Sequence, residues 1–128
     1  MIKHTYYYSL IAKTLKFLIP EQKTILYFGV YDPATIPSLN PLNAFCICDE
    51  QNCSHGASSD NIKYLHSKFQ DYVPEKKFDY IILDIALGRT DDICKLLKNV
   101  FYGCERHTRV IIHQENHFWE PLLKLAGA

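Results

Sequence analysis

The sequence has no excess of charge of either sign. Its 14 lysines and arginines balance 14 aspartates and glutamates, so the formal net charge is zero with histidine neutral. A chain without net charge lacks the overall positive field that would steer it to nucleic acid or to an anionic lipid surface. We therefore expect no nucleic-acid partner.

Long hydrophobic runs are also lacking. The apolar stretch from Leu10 to Ile19 is interrupted by Lys13 and Lys16 and has no small-residue cleavage signature. A membrane span needs about 20 consecutive apolar residues, and a signal peptide needs an apolar core followed by such a cleavage site. The sequence predicts neither of them.

A paired set of cysteines is missing as well. The chain has five cysteines, an odd number, and most lie in apolar or amphipathic stretches: Cys46, Cys48, Cys53, Cys94 and Cys104. This pattern favours reduced thiols in the core over a disulfide framework. We therefore expect a cytoplasmic protein.

Two groupings of potential metal ligands are present, but neither has the spacing of a metal site. Cys46 and Cys48 share one face of a predicted buried strand, and the sequence contains no Cys-x-x-Cys pair. His113 and His117 are four residues apart, yet a zinc pair at this spacing needs one continuous helix and His113 ends a predicted strand. We expect no metal site.

What the chain does contain is the pattern of an α/β domain. Its 128 residues, 48% of them apolar, suffice for one domain over residues 1–128. A helix from Tyr6 to Ile19 is ended by Pro20. Four of five short apolar runs are nearly continuous, which is typical of parallel strands covered on both faces. The five runs are Thr24–Val30, Ala44–Asp49, Ile62–His66, Phe78–Leu83 and Arg109–His113. They predict a doubly wound parallel sheet.

The connections between the predicted strands differ in length and composition. Pro33, Pro37 and Pro41 leave room for only a short or 3₁₀-like helix after the first strand. Residues 51–61 have turn composition where a crossover helix is expected. Residues 90–92 predict an N-cap, and Gly103 a C-cap, for a helix before the fifth strand. A last helix is expected after His117.

The turn after the first strand is poor in glycine. Gly29 is followed by Tyr31, Asp32 and Pro33, where a nucleotide-binding α/β domain would carry further glycines. Gly29 can make the tight turn, but the ring of Tyr31 would fill the space through which a ligand approaches the backbone.

Several segments together resemble class I S-adenosylmethionine-dependent methyltransferases, and in particular a bacterial subgroup associated with glycosyltransferases. The segments are Pro20-x2-Lys23-x-Ile-Leu-x-x-Gly29, Cys48-Asp49, Lys77-Phe-Asp-Tyr-Ile-Ile-Leu83 and Trp119-Glu-Pro-Leu-Leu123. The resemblance implies a Rossmann-like sheet in the order 3-2-1-4-5, with the cofactor over the carboxyl ends of the strands. In this family two more strands follow the fifth. The resemblance therefore implies that the chain is the amino-terminal part of a full methyltransferase fold.

The resemblance also assigns cofactor-binding positions. Gly29 matches the first glycine of the family's loop, and Tyr31 lies where further glycines are expected. Asp49 matches the acid that accepts hydrogen bonds from both ribose hydroxyls, whereas a strand-end aspartate that caps a turn is the alternative interpretation. Asp84 lies in the family's loop that faces both cofactor and methyl acceptor.

Two further positions concern adenine recognition and catalysis. Lys68 stands where the family has the acid that reads the adenine amine, and lysine cannot accept a hydrogen bond from that amine. Asp71 would replace this acid only if the loop shifts. His113 is the best candidate for a general base, and a histidine bonded to the backbone is the alternative.

We therefore expect a methyltransferase-like domain whose binding of S-adenosylmethionine is weakened or lost. The alternative is a non-catalytic module that docks a glycosyltransferase or the rest of its own chain. We expect the chain to be either the amino-terminal piece of a longer protein or a dimer formed through the edge of the fifth strand or the last helix, near Phe118, Trp119 and Leu122. The alternative is a monomer in which the last helix folds over this edge. The methyl acceptor, if the domain is active, is not identified by the sequence.

Overall fold

The computed structural model of the protein describes residues 2–29, 35–49, 60–84 and 86–113, with the backbone alone for residues 2–8. Three helices and five strands lie in this part of the chain. They are α1 (Ile2–Leu18), β1 (Thr24–Gly29), α2 (Thr35–Ser38), β2 (Asn43–Cys48), β3 (Ile62–His66), β4 (Phe78–Asp84), α3 (Ile93–Tyr102) and β5 (Cys104–His113). Two single-turn 3₁₀ helices, Phe69–Asp71 and Ala86–Gly88, precede and follow β4.

The five strands form one sheet in the order β3-β2-β1-β4-β5, and all neighbours are parallel. This arrangement confirms the predicted doubly wound sheet and its strand order. The register aligns Gly29 with Asp84, and Asp84 with His113. The carboxyl ends of β1, β4 and β5 therefore meet at the same edge of the sheet.

Each face of the sheet has its own core cluster. On one face, Leu15 and Ile19 at the end of α1 pack with Ile25, Tyr27 and other strand residues. On the other face, Leu96 and Val100 of α3 pack against a second set that includes Phe28 and Phe69. Because both faces are covered, the strands show continuous apolar runs rather than an alternating pattern.

The structure confirms the short helix and the helix caps that the sequence predicted. The four-residue α2 lies within the proline-rich connection, as its prolines required. Asp92 caps α3, where its carboxylate accepts a hydrogen bond from the backbone N–H of Lys95 at 3.0 Å, and Gly103 is the C-cap. The predicted last helix lies outside the described residues.

Two boundaries differ from the sequence prediction by four or more residues, and the other differences are of one residue. Helix α1 begins at Ile2, four residues before the predicted start. Strand β5 begins at Cys104, five residues before the predicted Arg109, because Cys104 already pairs with Phe78 of β4. The register shifts between this pair and the next one, Tyr80 with Arg109, and the polar residues from Glu105 to Thr108 lie in this irregularity. The hydroxyl of Thr108 donates to the carbonyl of Phe78 at 2.6 Å, which fastens this polar section to β4.

The expectation that all cysteines are reduced is wrong at Cys48, which is disulfide-bonded. Cys46, Cys94 and Cys104 are free thiols. The spacing of cysteines does not reveal which sulfur atoms the fold brings into contact, so this bond could not be foreseen. Within the described ranges, no helix combines the length and the apolar character that a membrane span requires.

Candidate functional site

An ion pair crosses the carboxyl edge of the sheet. Asp49 directly follows β2, and Arg89 follows the 3₁₀ helix after β4. The guanidinium Nη2 of Arg89 lies 3.2 Å from Oδ1 of Asp49, and its Nε lies 3.4 Å from Oδ2. Since β1 lies between β2 and β4, this pair spans the end of β1, where the strand order reverses and ligands of such sheets bind.

Sequence reasoning singled out Asp49 and missed Arg89. The two residues are 40 positions apart, and no local pattern around Arg89 distinguishes it from an ordinary surface arginine. The available signal was topological: a cation soon after the fourth strand of this sheet faces an acid soon after the second.

A small pocket of about 150 Å³ surrounds the ion pair. Its lining is mostly charged or polar: Asp49, Lys68, Phe69, Gln70, Arg89 and Asp91. Gln70 is fixed on two sides, because its backbone oxygen accepts from Asn99 at 2.7 Å and its amide oxygen accepts from the Thr90 hydroxyl at 3.0 Å. Lys68, which stands where the family has the adenine-reading acid, is also part of the lining of this pocket.

Asp71 lies near this pocket but does not line it. Its carboxylate forms an ion pair with Lys95 of α3 at 3.0 Å, and about half of each side chain is exposed. To reach the adenine position, Asp71 would have to leave Lys95 and the loop would have to move.

A second polar cluster lies at the ends of β1, β4 and β5. The carboxylate of Asp84 is buried between the hydroxyl of Tyr27, which donates to Oδ2 at 2.5 Å, and Nδ1 of His113, which lies 2.7 Å from Oδ1. Asp84 is only 5% exposed, so these two partners take the place of water around its charge. Tyr27 was missed in the sequence, although it lies two residues before Gly29 on the same face of β1.

Gly29 is required by the close approach of Asp84. A Cβ at this position would lie 2.9 Å from the Cβ and the backbone oxygen of Asp84, and 2.9 Å from the hydroxyl of Tyr27. Glycine at this position thus serves the packing of β1 against β4, whether or not a ligand is bound. Tyr31, the other predicted residue of this turn, lies outside the described residues.

His113 lines a groove between α1 and β5 with a volume of about 340 Å³. Apart from His113 and Thr14, its lining is aliphatic: Leu10, Ile11, Leu15, Leu18, Ile111 and Ile112. An imidazole held through Nδ1 by a carboxylate has the arrangement of an oriented acid–base group. Among the residues that the structure covers, no three side chains of histidine, cysteine, aspartate or glutamate are grouped to hold a metal ion.

Solved structures resemble the fold of this chain. The YcgJ protein from Bacillus subtilis matches 94% of this chain and 55% of its own with a TM-score of 0.69 at 17% identity. The glycopeptide N-methyltransferase MtfA matches 82% of this chain and 52% of its own with a TM-score of 0.56 at 10% identity. YjhP from E. coli matches 94% of this chain and 55% of its own length, with a TM-score of 0.56 at 10% identity.

These likenesses concern the fold, because the identities are low. No protein-family model and no curated protein matches the sequence. The chain spans about half the length of the solved structures that it resembles. The five-stranded parallel sheet, its order and these neighbours together show that the chain has a Rossmann-like α/β fold, which it shares with solved structures that include a methyltransferase.

Proposed function

We propose that the chain is a methyltransferase-like domain in which the binding of S-adenosylmethionine is weakened or lost. The observation that carries this proposal is the small pocket beside Asp49, with a volume of about 150 Å³ and Lys68 in its lining. Binding sites for small molecules such as S-adenosylmethionine usually enclose about 300–1,000 Å³ and are mostly apolar, so this pocket is small and polar by comparison. The ammonium group of Lys68 only donates hydrogen bonds, so it does not replace the acid that would read the adenine amine.

The retained residues define the roles that remain in this proposal. Asp49 would accept the ribose hydroxyls, and Gly29 would form the turn below the ligand. Asp84 is buried at the end of β4 rather than in a loop that faces the ligands, and its role would be to orient His113.

Asp71 would substitute for the adenine-reading acid only if it left Lys95 and the loop shifted. Tyr31 stands in the sequence where the family has further glycines. S-adenosylmethionine supplies the methyl group when bound.

If methyl transfer persists, the chain's own contribution is positioning and proton removal. A direct in-line transfer needs little covalent chemistry from the protein. His113, oriented by Asp84, would accept the proton that the acceptor's nucleophile loses. We propose a cytoplasmic location for the domain, which the free thiols of Cys46, Cys94 and Cys104 favour, although the bonded Cys48 is unusual in that compartment.

Calorimetric titration tests this proposal directly. We expect S-adenosylmethionine and its demethylated product, S-adenosylhomocysteine, to bind with a dissociation constant weaker than about 100 μM, or not at all. The control is Asp49→Ala, which removes the retained ribose acceptor. Micromolar binding by the wild-type protein that collapses in Asp49→Ala would overturn the proposal and restore a working methyltransferase.

The second candidate is a non-catalytic module that docks a partner, such as a glycosyltransferase or the rest of its own chain. The observation that favours it is the exposed outer strand of the sheet. Val110 and Ile112 of β5 are 42% and 53% exposed, beside a groove lined with aliphatic side chains. Large apolar side chains at a sheet edge are typical of surfaces that pair with another chain.

A further inference from the structure

We propose that Arg89 determines which ligands the crevice accepts, because its ion pair with Asp49 competes with ribose hydroxyls for the same carboxylate. The inference rests on the proposed function, since it takes Asp49 as the residue that a ribose would contact. It gives a specific cause for weak binding of S-adenosylmethionine, namely the ion pair between Arg89 and Asp49. This cause is separate from the sequence of the turn at Tyr31.

The geometry of the pair makes this competition direct. Two nitrogen atoms of Arg89 approach two oxygen atoms of Asp49, at 3.2 and 3.4 Å. A planar guanidinium matches a carboxylate in this two-point manner better than any other side chain does. Two vicinal hydroxyls of a ribose would need the same two oxygens, so ribose binding requires the pair to separate.

The backbone on both sides of Arg89 is fastened in place. The Arg89 N–H donates to the carbonyl of Ala86 at 3.1 Å, which closes the 3₁₀ helix. The next residue, Thr90, donates its hydroxyl to Gln70 at 3.0 Å and accepts from the N–H of Asp92 at 3.2 Å. The Arg89 side chain therefore starts from a fixed point on the β4 side and extends over the end of β1 to Asp49.

The environment of the pair sets the size of the expected effect. The Arg89 side chain is 34% exposed and that of Asp49 is 15% exposed. Solvent screens such a pair, and its strength corresponds to a change of about fivefold in a binding constant. The ion pair of Arg89 thus weakens ribose binding moderately, and added salt should reduce this effect because it screens the pair.

Adenosine is a suitable probe because it carries the ribose diol without a charge. We would measure its dissociation constant by NMR titration, which reaches the millimolar range, for the wild type, Arg89→Met and Arg89→Gln. We expect about fivefold tighter binding in both variants. The gain should disappear in the double variant Arg89→Met with Asp49→Ala. Lys13→Met, which removes an exposed lysine of α1, is the matched control and should bind as the wild type does.

Salt provides an independent readout. Raising sodium chloride from 50 to 500 mM should tighten adenosine binding to the wild type, because the salt screens the ion pair and adenosine has no charge to be screened. The Arg89→Met variant should lose this salt response. Circular dichroism of each variant verifies that it is folded.

The outcomes separate the inference from the proposed function. Equal affinities of the wild type and both Arg89 variants for adenosine, including no binding in any of them, would overturn the role of Arg89 and leave the weak binding of S-adenosylmethionine unaffected. Micromolar binding of S-adenosylmethionine by the wild type would overturn the proposed function itself. Tighter binding in the Arg89 variants that persists without Asp49 would also overturn the inference, since the gain would then not depend on the carboxylate.

Discussion

Single residues at the carboxyl edge of the sheet are arranged around two carboxylates. Asp49 is paired with Arg89, and Asp84 is enclosed by Tyr27 and His113. Both acids are matched by groups from other strands or loops, so each one links elements that are distant in the sequence. Gly29 lies beside the second cluster because only a residue without a Cβ fits against Asp84.

Replacing Gly29 with alanine should destabilise the protein. The new Cβ would lie 2.9 Å from a backbone oxygen of Asp84, and backbone cannot move aside as a side chain can. We expect a loss of about 1–3 kcal/mol in the free energy of unfolding, measured by urea denaturation. Gly103→Ala is the control, because its Cβ would meet only side-chain atoms, at 3.2–3.3 Å. An equal loss in both variants would contradict this explanation.

Cys46 should be unreactive in the folded protein. Burial raises the pKa of its thiol to about 12, and the reactive species is the thiolate. At pH 8 we expect iodoacetamide to modify the exposed Cys94 and to leave Cys46 unmodified, as measured by mass spectrometry of peptides. In urea both should react. Modification of the two cysteines at equal rates without urea would show that Cys46 is accessible.

At the scale of elements, β1 and β4 are joined at their amino ends as well as along their length. The carboxylate of Asp79 accepts hydrogen bonds from the N–H and the hydroxyl of Thr24, each at 3.0 Å. The hydroxyl of Thr24 in turn accepts from the N–H of Asp79 at 2.8 Å. These bonds fix the register of the two central strands, and therefore the alignment of Gly29 with Asp84 at the other end.

This contact should make stability depend on pH in the acid range. The hydrogen bond from the backbone of Thr24, aided by His107, lowers the pKa of Asp79. A carboxyl group with a lowered pKa stabilises the folded state above its unfolded pKa of about 3.9, and this contribution is lost as pH falls through the folded value.

The variant Asp79→Asn should therefore lose about 1 kcal/mol at pH 7, measured by urea denaturation. The difference from the wild type should shrink below about pH 4. Asp60→Asn, at an exposed position, should show no such difference. A constant deficit of Asp79→Asn across the acid range would show that the ionised carboxylate is not what stabilises the contact.

At the scale of the whole molecule, β5 is the outer strand of the described sheet. It is ten residues long and pairs with β4 on one side. Within the described ranges no strand pairs with its other side. A long outer strand presents unpaired N–H and carbonyl groups, which favour pairing with another chain.

We expect the chain to form a dimer through this edge or through the segment around Phe118 and Trp119. Light scattering over a range of concentrations should show a mass that rises toward twice that of the chain. If the contact is the edge of β5, the double variant Val110→Lys with Ile112→Lys should remain monomeric; a dimer of this variant would assign the contact to the other segment. Leu97→Lys on α3, at 43% exposure, is the matched control and should not change the mass. A monomeric wild type with ordinary hydrogen-exchange protection from Val110 to Ile112 would exclude association through the edge.

The sequence by itself determined the elements whose signals are local. Continuous apolar runs predicted four strands, because a strand covered on both faces has no polar side. Asp92 and Gly103 defined the ends of α3, since a cap depends only on residues within one turn. The strand order came from the resemblance to methyltransferases, because apolar runs do not determine which strands become neighbours.

The tertiary structure alone decided the contacts between distant residues. Arg89 and Asp49 are 40 positions apart, and Tyr27 and Asp84 are 57 apart. The disulfide bond of Cys48 and the polar first half of β5 are also features that the local sequence does not determine, because both depend on the residues that the fold places beside them. Hydrophobic patterning fixes which face of an element is buried, whereas a hydrogen bond or an ion pair forms only where the completed fold brings two groups within about 3 Å. The candidate site consists of such contacts. Asp49, Asp84 and His113 were therefore predicted singly, whereas Arg89, Tyr27 and the pairing of these residues were not.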